Sequence, residues 1–333
     1  MNQFEYTRAN SAQAAVGALS KENGAVFLAG GTNLVDLMKR GVSQPTRLID
    51  INGLPMDKVE ETVTGLRIGA LAKNSDVSEH ELVKKYFPLL SMAFKAGASP
   101  QLRNMATVGG NMMQRTRCPY FYDTSMPCNK RLPGSGCGAI GGYNRMHAIF
   151  GASDQCIAVH PSDMCVALTA LNASVTITGP KGERQMAFGD FHRLPGSTPD
   201  KDNNLQHAEL ITGITIPFNK LATHSYYLKV RDRASYAFAL VSVAAALDIQ
   251  HDVIQEARLA MGGVAHKPWR LVDAEKALKG KPANLQSFKE AASIAMQGAK
   301  GHGYNDFKLK LAPNAIVEGL RLAGGDQELV INN

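Results

Sequence analysis

The sequence lacks a long uninterrupted run of apolar residues. The nearest approach covers residues 236–247, and this run is rich in Ala and in residues that favour strands. A helix that crosses a membrane needs about 20 consecutive, mainly apolar residues. The opening residues 1–6 also lack the basic and then apolar pattern of a secretory signal. We therefore expect no membrane insertion, and no export directed by this chain itself.

Cysteine is scarce, and closely spaced cysteine pairs are missing. There are 5 cysteines in 333 residues. This odd count and low density disfavour a disulfide framework, which is typical of small secreted domains. Zinc sites usually take cysteines in pairs separated by two to four residues. Four of the cysteines nevertheless fall within one stretch, with nine, eight and eighteen residues between them, namely Cys118, Cys128, Cys137 and Cys156.

The stretch around these four cysteines, residues 107–156, has neither helical nor strand periodicity and is rich in Gly and Pro. A loop this long is unusual in a compact domain unless it is functional or disordered, and its tyrosines and phenylalanines make it too apolar for a disordered tail. Wide spacing suits a four-iron cluster, whose thiolate ligands lie at separate corners. A [4Fe-4S] cluster is the favoured interpretation, and disulfides, zinc and unpaired buried thiols remain alternatives. Cys165 lies in an apolar helical pattern and is predicted to belong to the core.

The distribution of charge disfavours nucleic acid as a partner of this chain. The net charge is +7, and apolar residues make up 44% of the chain. A basic protein can bind nucleic acid, but here the basic residues are scattered, and their tightest group brackets the cysteine loop: Arg103, Arg115, Arg117, Lys130 and Arg131. A negatively charged cofactor explains that group equally well, and we do not expect nucleic-acid binding.

Periodicity predicts a mixed α and β fold. The predicted N-terminal elements are a helix over 11–21, a strand over 25–28, a helix over 34–38, a strand over 47–51, a strand over 65–71, one long helix over 74–96, a helix opening at 160 with Pro161 in its first turn, a hairpin over 173–188 and a strand over 209–217. A boundary is predicted near 217–224. Beyond it we expect strands at 225–231, 236–249 and 256–264, then helices at 271–279, 285–299 and 305–323, which is typical of an α+β domain.

Two glycine turns are the candidate cofactor contacts. Residues 29–33 read Ala-Gly-Gly-Thr-Asn between a predicted strand and helix, and residues 107–111 read Thr-Val-Gly-Gly-Asn. Such turns expose backbone N–H groups to a phosphate, although one such turn can also be an ordinary tight turn. Neither matches G-x-G-x-x-G or a P-loop. Two of them in one domain favour a diphosphate cofactor held from two sides. Asp163 could cap its helix or face a ligand.

Four motifs, taken in order, resemble a known family. They are Leu28-Ala-Gly-Gly-Thr-Asn33, Thr107-Val-Gly-Gly-Asn111, His160-Pro-Ser-Asp163 and Lys229-Val-Arg-Asp-Arg-Ala-Ser-Tyr236. Together they resemble the FAD-binding medium subunit of molybdenum hydroxylases, the family of xanthine dehydrogenase and carbon monoxide dehydrogenase. The cysteine loop is most similar to the branch that carries FAD and [4Fe-4S] in bacterial periplasmic aldehyde oxidoreductases. A hydroxybenzoyl-CoA reductase-like or xanthine dehydrogenase-like medium subunit is the alternative.

The resemblance implies a fold and a set of cofactor contacts. The fold class is α+β, with a two-part FAD-binding domain of the vanillyl-alcohol-oxidase type at 1–220 (parts about 1–55 and 56–220, cluster loop 112–156) and a C-terminal domain of the CO dehydrogenase flavoprotein type at 221–333. The implied FAD contacts are Phe27, Leu28, Ala29, Gly30, Gly31, Thr32, Asn33, Leu34, Thr107, Gly110, Asn111, Asp163, Leu210, Ile211 and Lys229. The implied ligands of the four-iron cluster are Cys118, Cys128, Cys137 and Cys156.

The resemblance also implies a function. The chain would pass electrons from [2Fe-2S] clusters through FAD to an external acceptor, within a heterotrimer with a molybdenum-cofactor large subunit and a [2Fe-2S] small subunit. The large subunit would oxidise aldehyde to carboxylic acid, so no catalytic acid or base is expected on this chain. The periplasm is expected through co-export with a signal-bearing partner, and the cytoplasm otherwise. The rivals are a self-contained flavoenzyme and a non-enzymatic zinc or nucleic-acid module.

Overall fold

The computed structural model describes residues 1–325. The strands are β1 (Glu5–Arg8), β2 (Ala25–Leu28), β3 (Arg47–Asp50), β4 (Val59–Glu61), β5 (Gly65–Gly69), β6 (Ser174–Gly179), β7 (Gly182–Ala187), β8 (Leu210–Pro217), β9 (His224–Val230), β10 (Val241–Gln250), β11 (Val253–Gly262) and β12 (Trp269–Arg270). The helices are α1 (Ala12–Ser20), α2 (Leu34–Lys39), α3 (Asn74–Glu79), α4 (Glu81–Tyr86), α5 (Pro88–Ala96), α6 (Pro100–Arg103), α7 (Val108–Met112), α8 (Pro119–Tyr122), α9 (Asp163–Ala170), α10 (Phe188–Phe191), α11 (Val272–Leu278), α12 (Leu285–Ala295) and α13 (Lys308–Ala323).

The first sheet has three parallel strands in the order β1-β3-β2. It contains the predicted unit of strand, glycine turn, helix and strand. Ser11 caps α1 by accepting a hydrogen bond from the Ala14 N–H at 3.1 Å. Strand β1 was not predicted, because its four residues are all exposed and show no alternation. It forms through its parallel ladder with β3, where Arg47 Nε donates to Glu5 at 3.0 Å.

The second sheet has five antiparallel strands in the order β4-β5-β8-β6-β7. The predicted hairpin over 173–188 is confirmed as β6 and β7. The apolar residues of this sheet share the largest apolar cluster of the described chain with helices α5 and α9. Helix α5 also contacts strands β9 and β10, and α9 contacts β10 and β11. Helix α9, with the residues at its N-terminus, is therefore held between apolar residues of two sheets.

The prediction of one long helix over 74–96 is wrong. The structure has three helices there, because the backbone is extended at His80 (φ −63°, ψ 131°) and Phe87 has a non-helical ψ of 59°. Pro88 opens α5 at a position where a helix needs no N–H donor. A proline inside a continuous helix would instead remove a hydrogen bond and clash with the preceding turn.

Helix α9 also begins later than predicted. It opens at Asp163 rather than at His160, so Pro161 precedes the helix instead of occupying its first turn. Ser162 is the N-cap, and its Oγ accepts a hydrogen bond from the Cys165 N–H at 3.1 Å. Cys165 is fully buried in the main apolar cluster, as predicted.

The C-terminal part is a four-stranded antiparallel sheet, ordered β12-β11-β10-β9, with α11, α12 and α13 packed on it. The predicted order of strands and then helices is confirmed, with bounds shifted by a few residues. Gly319 of α13 lets this helix approach β10, because a Cβ there would lie 3.1 Å from Val243. The predicted C-terminal domain extends to residue 333, and residues 326–333 lie outside the described part. None of the helices in residues 1–325 has the length and apolarity needed to cross a membrane.

Candidate functional site

The first glycine turn presents a row of free backbone donors. It connects β2, which ends with the predicted contacts Phe27 and Leu28, to α2, which begins at Leu34. Within residues 1–325, no protein group accepts a hydrogen bond from the N–H of Gly30, Gly31, Thr32 or Asn33. Gly31 has a φ of +71°, a left-handed conformation that glycine adopts without strain. The turn therefore offers consecutive donors to an anionic group.

The second glycine turn packs directly against the first. A Cβ on Gly30 would lie only 2.0 Å from the carbonyl oxygen of Met105, two residues before Thr107. The N–H groups of Val108 and Gly109 donate within the protein, to Ala72 O at 3.0 Å and Ala70 O at 2.8 Å. Unlike those of the first turn, these N–H groups are already used within the protein.

Thr107 and Gly110 form the cap of α7. Thr107 Oγ1 accepts a hydrogen bond from the Gly110 N–H at 3.1 Å, and a Cβ on Gly110 would lie 2.9 Å from that oxygen. Glycine therefore keeps the Thr107 hydroxyl accessible to its backbone partner. Asn111 follows within α7, where its Oδ1 accepts a hydrogen bond from the Ser162 hydroxyl at 2.6 Å.

A chain of contacts connects the two turns to the start of α9. Asn33 Oδ1 accepts a hydrogen bond from the Arg115 N–H at 2.9 Å, and the buried Asn33 Nδ2 has no partner in the described chain. The bond between Asn111 and Ser162 then reaches the residue next to Asp163. The structure thus brings three of the four sequence motifs together at one site.

The fourth motif joins through an ion pair with Asp163. Lys229 Nζ lies 2.8 Å from Asp163 Oδ2, and the two side chains are 5% and 7% exposed. The Tyr227 hydroxyl donates to Asp163 Oδ1 at 2.8 Å. Burial, followed by the charge of Asp163, holds the pKa of Tyr227 well above its ordinary value, so the phenol remains a donor. Since Ser162 is the helix cap, Asp163 has no structural role as a cap and faces Tyr227 and Lys229.

Leu210 and Ile211 lie at the start of β8, and both are buried. Leu210 belongs to the same apolar cluster as Phe27 and Ala29, which places it beside the first glycine turn. Ile211 instead packs in the main cluster. A backbone contact from these two residues to the adenine part of FAD stays a prediction.

A cavity opens beside Asp163. Its empty volume is about 590 Å³, including its mouth, and its walls include Arg117, Pro161, Asp163, Phe238 and Gly263. Arg117 lies over the Phe238 ring at 5.1 Å from the centroid. We call this space the Asp163 cavity. It combines apolar walls with a cation and a carboxylate, as cofactor pockets do.

A second, smaller cavity is surrounded by the four loop cysteines. Cys118, Cys128, Cys137 and Cys156 all line it, and its empty volume is about 270 Å³. All are free thiols, as is Cys165. Cys128 and Cys137 are brought together by an antiparallel bridge, and Phe121 and Cys128 pack on Leu37 of α2. We call this space the cysteine cavity.

The sulfur spacing disfavours a single metal ion. Zinc–sulfur bonds of about 2.3 Å in a tetrahedron would place the sulfurs less than about 4 Å apart. In the described residues, the one group of three or more potential ligands whose atoms all lie within 4.8 Å is His160, Cys165 and His192. Hence no three of the four loop sulfurs converge that closely. All four instead line one cavity, so one inorganic group larger than a single ion would reach all of them.

The loop thiols differ in acidity. Burial raises the pKa of Cys118 to about 12. A hydrogen bond between the side chains of Cys137 and Cys156 lowers the pKa of Cys137 and raises that of Cys156. Cys137 is therefore the more acidic thiol of its pair with Cys156, and burial favours the protonated form of Cys118. Binding of a metal ion to thiols releases their protons.

Three charged residues anchor the cysteine loop to the body of the chain. The side chain of Lys130 is 2% exposed. Its Nζ donates hydrogen bonds to Pro199 O at 2.8 Å and to Asp202 Oδ1 at 2.5 Å. Arg115 Nε lies 2.6 Å from the other carboxylate oxygen of Asp202. Burial alone would raise the pKa of Asp202, but Lys130 and Arg115 lower it to about 2.

This anchor predicts a pH dependence of stability. Asp202 has a lower pKa in the folded chain than the ordinary 3.8, so its contribution is present above about pH 4 and is lost as the pH falls toward 2. We expect protonation of Asp202 to lower the free energy of unfolding by about 2 kcal/mol between about pH 5 and pH 2. Urea unfolding of Asp202→Asn should show a flatter pH dependence than the unchanged chain, while Asp273→Asn, in an exposed ion pair, should match it. Equal slopes for all three would contradict the assignment.

Several residues of the site carried no motif. Lys130, Asp202 and Tyr227 are far apart in the sequence and meet through folding. His147 is also buried, and its Nε2 lies 3.1 Å from the sulfur of Cys118. Burial lowers the pKa of His147 to about 4, so its ring is neutral at physiological pH. Position within the cysteine-rich loop was the one signal available for His147, whereas Lys130 also belonged to the basic group that brackets this loop.

Both cofactors implied by the resemblance fit the residues present. The free N–H row at Gly30 to Asn33 and the partnerless Asn33 Nδ2 suit the diphosphate of FAD. The close approach at Gly30 leaves no room for a side chain. Four free thiols around one cavity, with sulfurs too dispersed for a single ion, suit a [4Fe-4S] cluster.

Comparison with known proteins identifies two family regions. Residues 2–219 match the FAD binding domain in molybdopterin dehydrogenase, and residues 226–323 match the CO dehydrogenase flavoprotein C-terminal domain. Both matches confirm the predicted fold class. The domain bounds at 220 and 221 stay a prediction.

Relatives and solved structures agree with this assignment. The chain is 49% identical over 322 residues to the aldehyde oxidoreductase FAD-binding subunit PaoB of Escherichia coli, covering 96% of this chain and 98% of the relative. It is 32% identical to the glyceraldehyde dehydrogenase medium chain of Sulfolobus acidocaldarius, covering 87% and 86%. The CO dehydrogenase structure from Oligotropha carboxidovorans shares the fold, with a TM-score of 0.78 at 22% identity over 98% and 99%. This chain therefore belongs to the FAD-binding medium subunits of the xanthine dehydrogenase and CO dehydrogenase family, and it is a subunit of a molybdenum hydroxylase-type oxidoreductase.

Proposed function

We propose that this chain is the FAD- and [4Fe-4S]-carrying electron-transfer subunit of a molybdenum-dependent aldehyde oxidoreductase. The observation that carries the proposal is the shared wall between the two cavities. Thr116 and Cys118 line both the cysteine cavity and the Asp163 cavity. A cluster ligated by Cys118 would therefore adjoin the space beside Asp163, which suits electron exchange between neighbouring redox groups.

The chain's own residues bind and orient the cofactors. The unused N–H groups of Gly30 to Asn33 would donate to the diphosphate, and the pair formed by Asp163 and Lys229 would provide polar groups beside the flavin. Thiolates of Cys118, Cys128, Cys137 and Cys156 ligate the cluster. When bound, FAD accepts and releases electrons singly or in pairs. Electron transfer of this kind requires no acid or base from this chain.

The aldehyde assignment rests on the relatives at higher identity. Two relatives at 49% and 32% identity are named for aldehyde oxidation, of an unspecified aldehyde and of glyceraldehyde. Subunits named for xanthine and for carbon monoxide match at 24–25%. The proposed partners are a molybdenum-cofactor large subunit, which oxidises the aldehyde to a carboxylic acid, a [2Fe-2S] small subunit and an external electron acceptor.

We also propose a periplasmic location, reached as a folded complex. Iron–sulfur clusters are assembled in the cytoplasm, so a cluster-bearing chain would be exported after folding, with a partner that carries the signal. Cell fractionation of the native complex tests this point. Recovery of the complex with the cytoplasmic fraction would refute the location without affecting the cofactor assignment.

The cofactor assignment is tested on the anaerobically purified chain. We expect flavin absorption bands above a broad iron–sulfur absorption, with about one flavin and about four iron and four sulfide per chain. Zinc with no iron would contradict the cluster, and a colourless protein would contradict both cofactors.

The reaction is tested on the complex isolated with its partner subunits. Aldehydes should reduce an added dye, whereas xanthine and carbon monoxide should not. Turnover of xanthine instead would retain the cofactor assignment and replace the substrate class. Turnover by this chain without partners would favour a self-contained flavoenzyme.

A further inference from the structure

One histidine lies beside the proposed cluster ligand Cys118 and is not itself a predicted ligand. His147 is 2% exposed and lines the Asp163 cavity together with Cys118. Its Nε2 lies 3.1 Å from the Cys118 sulfur. Its Nδ1 has no hydrogen-bond partner in the described chain. The ring therefore directs one nitrogen at a proposed cluster ligand, while the backbone of Asn144 lies near the ring.

The backbone of His147 is fixed from the C-terminal part of the chain. Its carbonyl oxygen accepts a hydrogen bond from the fully buried Lys308 Nζ at 2.9 Å and from Asn305 Nδ2 at 3.2 Å. Lys308 Nζ also donates to Gly263 O at 2.7 Å. These bonds leave little freedom for the segment that carries the imidazole. The fold thus holds the backbone of His147 at a position from which its ring contacts Cys118.

We propose that His147 is a positioning residue that donates its Nε2–H to the Cys118 sulfur and raises the reduction potential of the cluster that Cys118 ligates. The inference rests on the proposed function. A thiolate ligand accepts a hydrogen bond from an imidazole N–H. This bond withdraws negative charge from the sulfur, so it stabilises the reduced cluster more than the oxidised one. Hydrogen bonds to cluster sulfurs are among the determinants of cluster potential.

The test is the midpoint potential of the cluster, measured by EPR-monitored redox titration of the purified chain. His147→Phe keeps a planar ring without the N–H, and we expect its cluster to titrate at a lower potential than the unchanged one. His147→Gln restores an N–H donor and should return the potential toward the original value. His302→Phe is the matched control, because His302 is close enough to influence His147 but has no sulfur contact in residues 1–325. It should leave the potential unchanged.

The outcomes separate this inference from the proposed function. An unchanged potential in His147→Phe, or the same shift in the Phe and Gln variants, would overturn the inference while the cluster stands. Loss of iron from His147→Phe but not from His147→Gln would support the proposal, because the hydrogen bond would then be required for cluster binding. Loss of iron from both variants would overturn it and leave His147 with a role in packing. If the chain without any substitution contained no iron, both this inference and the proposed function would be overturned.

A second measurement needs no variant. Protein labelled with ¹⁵N-histidine should show a weak nitrogen coupling in the pulsed EPR spectrum of the reduced cluster, carried across the bond between Nε2–H and sulfur. Absence of the coupling would refute the hydrogen bond even if the variants fail to fold.

Discussion

Replacing Cys128 with serine is expected to remove iron and the broad iron–sulfur absorption while leaving most of the flavin in place. Cys128 is 5% exposed and lines the cysteine cavity. A serine hydroxyl is a hard, weakly acidic ligand, whereas iron–sulfur clusters are bound by thiolates. The four thiols surround one cavity, so loss of one corner should release the cluster. Iron and sulfide analysis of the anaerobically purified variant measures the effect.

Cys165→Ala is the matched control. Cys165 is also a buried free thiol, but it lies in α9 within the main apolar cluster and lines neither cavity. Its removal should keep about four iron per chain and lower the free energy of unfolding by less than about 2 kcal/mol. If Cys128→Ser kept its iron and Cys165→Ala lost it, the proposed set of ligands would be wrong.

The second large effect is expected from Gly30→Ala, which should weaken FAD binding. The new Cβ would lie 2.0 Å from Met105 O and 3.2 Å from Ala106 Cα, and all of these neighbours are backbone. Because no flexible side chain can yield, the two glycine turns must move apart. Overpacking of this kind lowers the free energy of unfolding by about 1–3 kcal/mol. A displaced N–H row that loses the same energy in binding would raise the FAD dissociation constant about 5- to 150-fold. FAD titration of the deflavinated protein gives the dissociation constant directly.

Gly17→Ala is the control for this substitution. Gly17 lies within α1, and a Cβ there would meet no atom within 4 Å. Alanine favours the helical state by about 1 kcal/mol over glycine, so this variant should be slightly more stable and bind FAD normally. Equal affinity of both variants for FAD would show that the close packing of the two turns is not needed for binding.

The cysteine loop is packed against elements that also form the first glycine turn and the body of the chain. Phe121 and Cys128 pack on Leu37 of α2, the helix that follows the first glycine turn. Lys130 joins the loop to Asp202. Binding of the cluster and binding of the flavin therefore both involve α2. We expect loss of one cofactor to reduce slightly the order of the other binding site.

Local chemistry determined a large part of the fold. The unit of β2, glycine turn, α2 and β3 follows from apolar runs separated by glycines, and the hairpin of β6 and β7 follows from alternation around Gly179 and Gly182. The long helix over 74–96 was wrong, since apolar periodicity continues through Pro88 although the backbone does not. Strand β1 carries no apolar pattern, and pairing with β3 decides its conformation.

For the candidate site, the sequence by itself determined the types of groups: two glycine turns, a loop with four separated thiols, and the motifs around Asp163 and Lys229. Their meeting depended on tertiary structure. Only the fold places Gly30 against Met105, pairs Asp163 with Tyr227 and Lys229, and brings His147 to the sulfur of Cys118. The reason is physical: residue spacing fixes what a short segment can form, whereas contacts between distant segments arise from the packing of whole sheets and helices and have no local pattern.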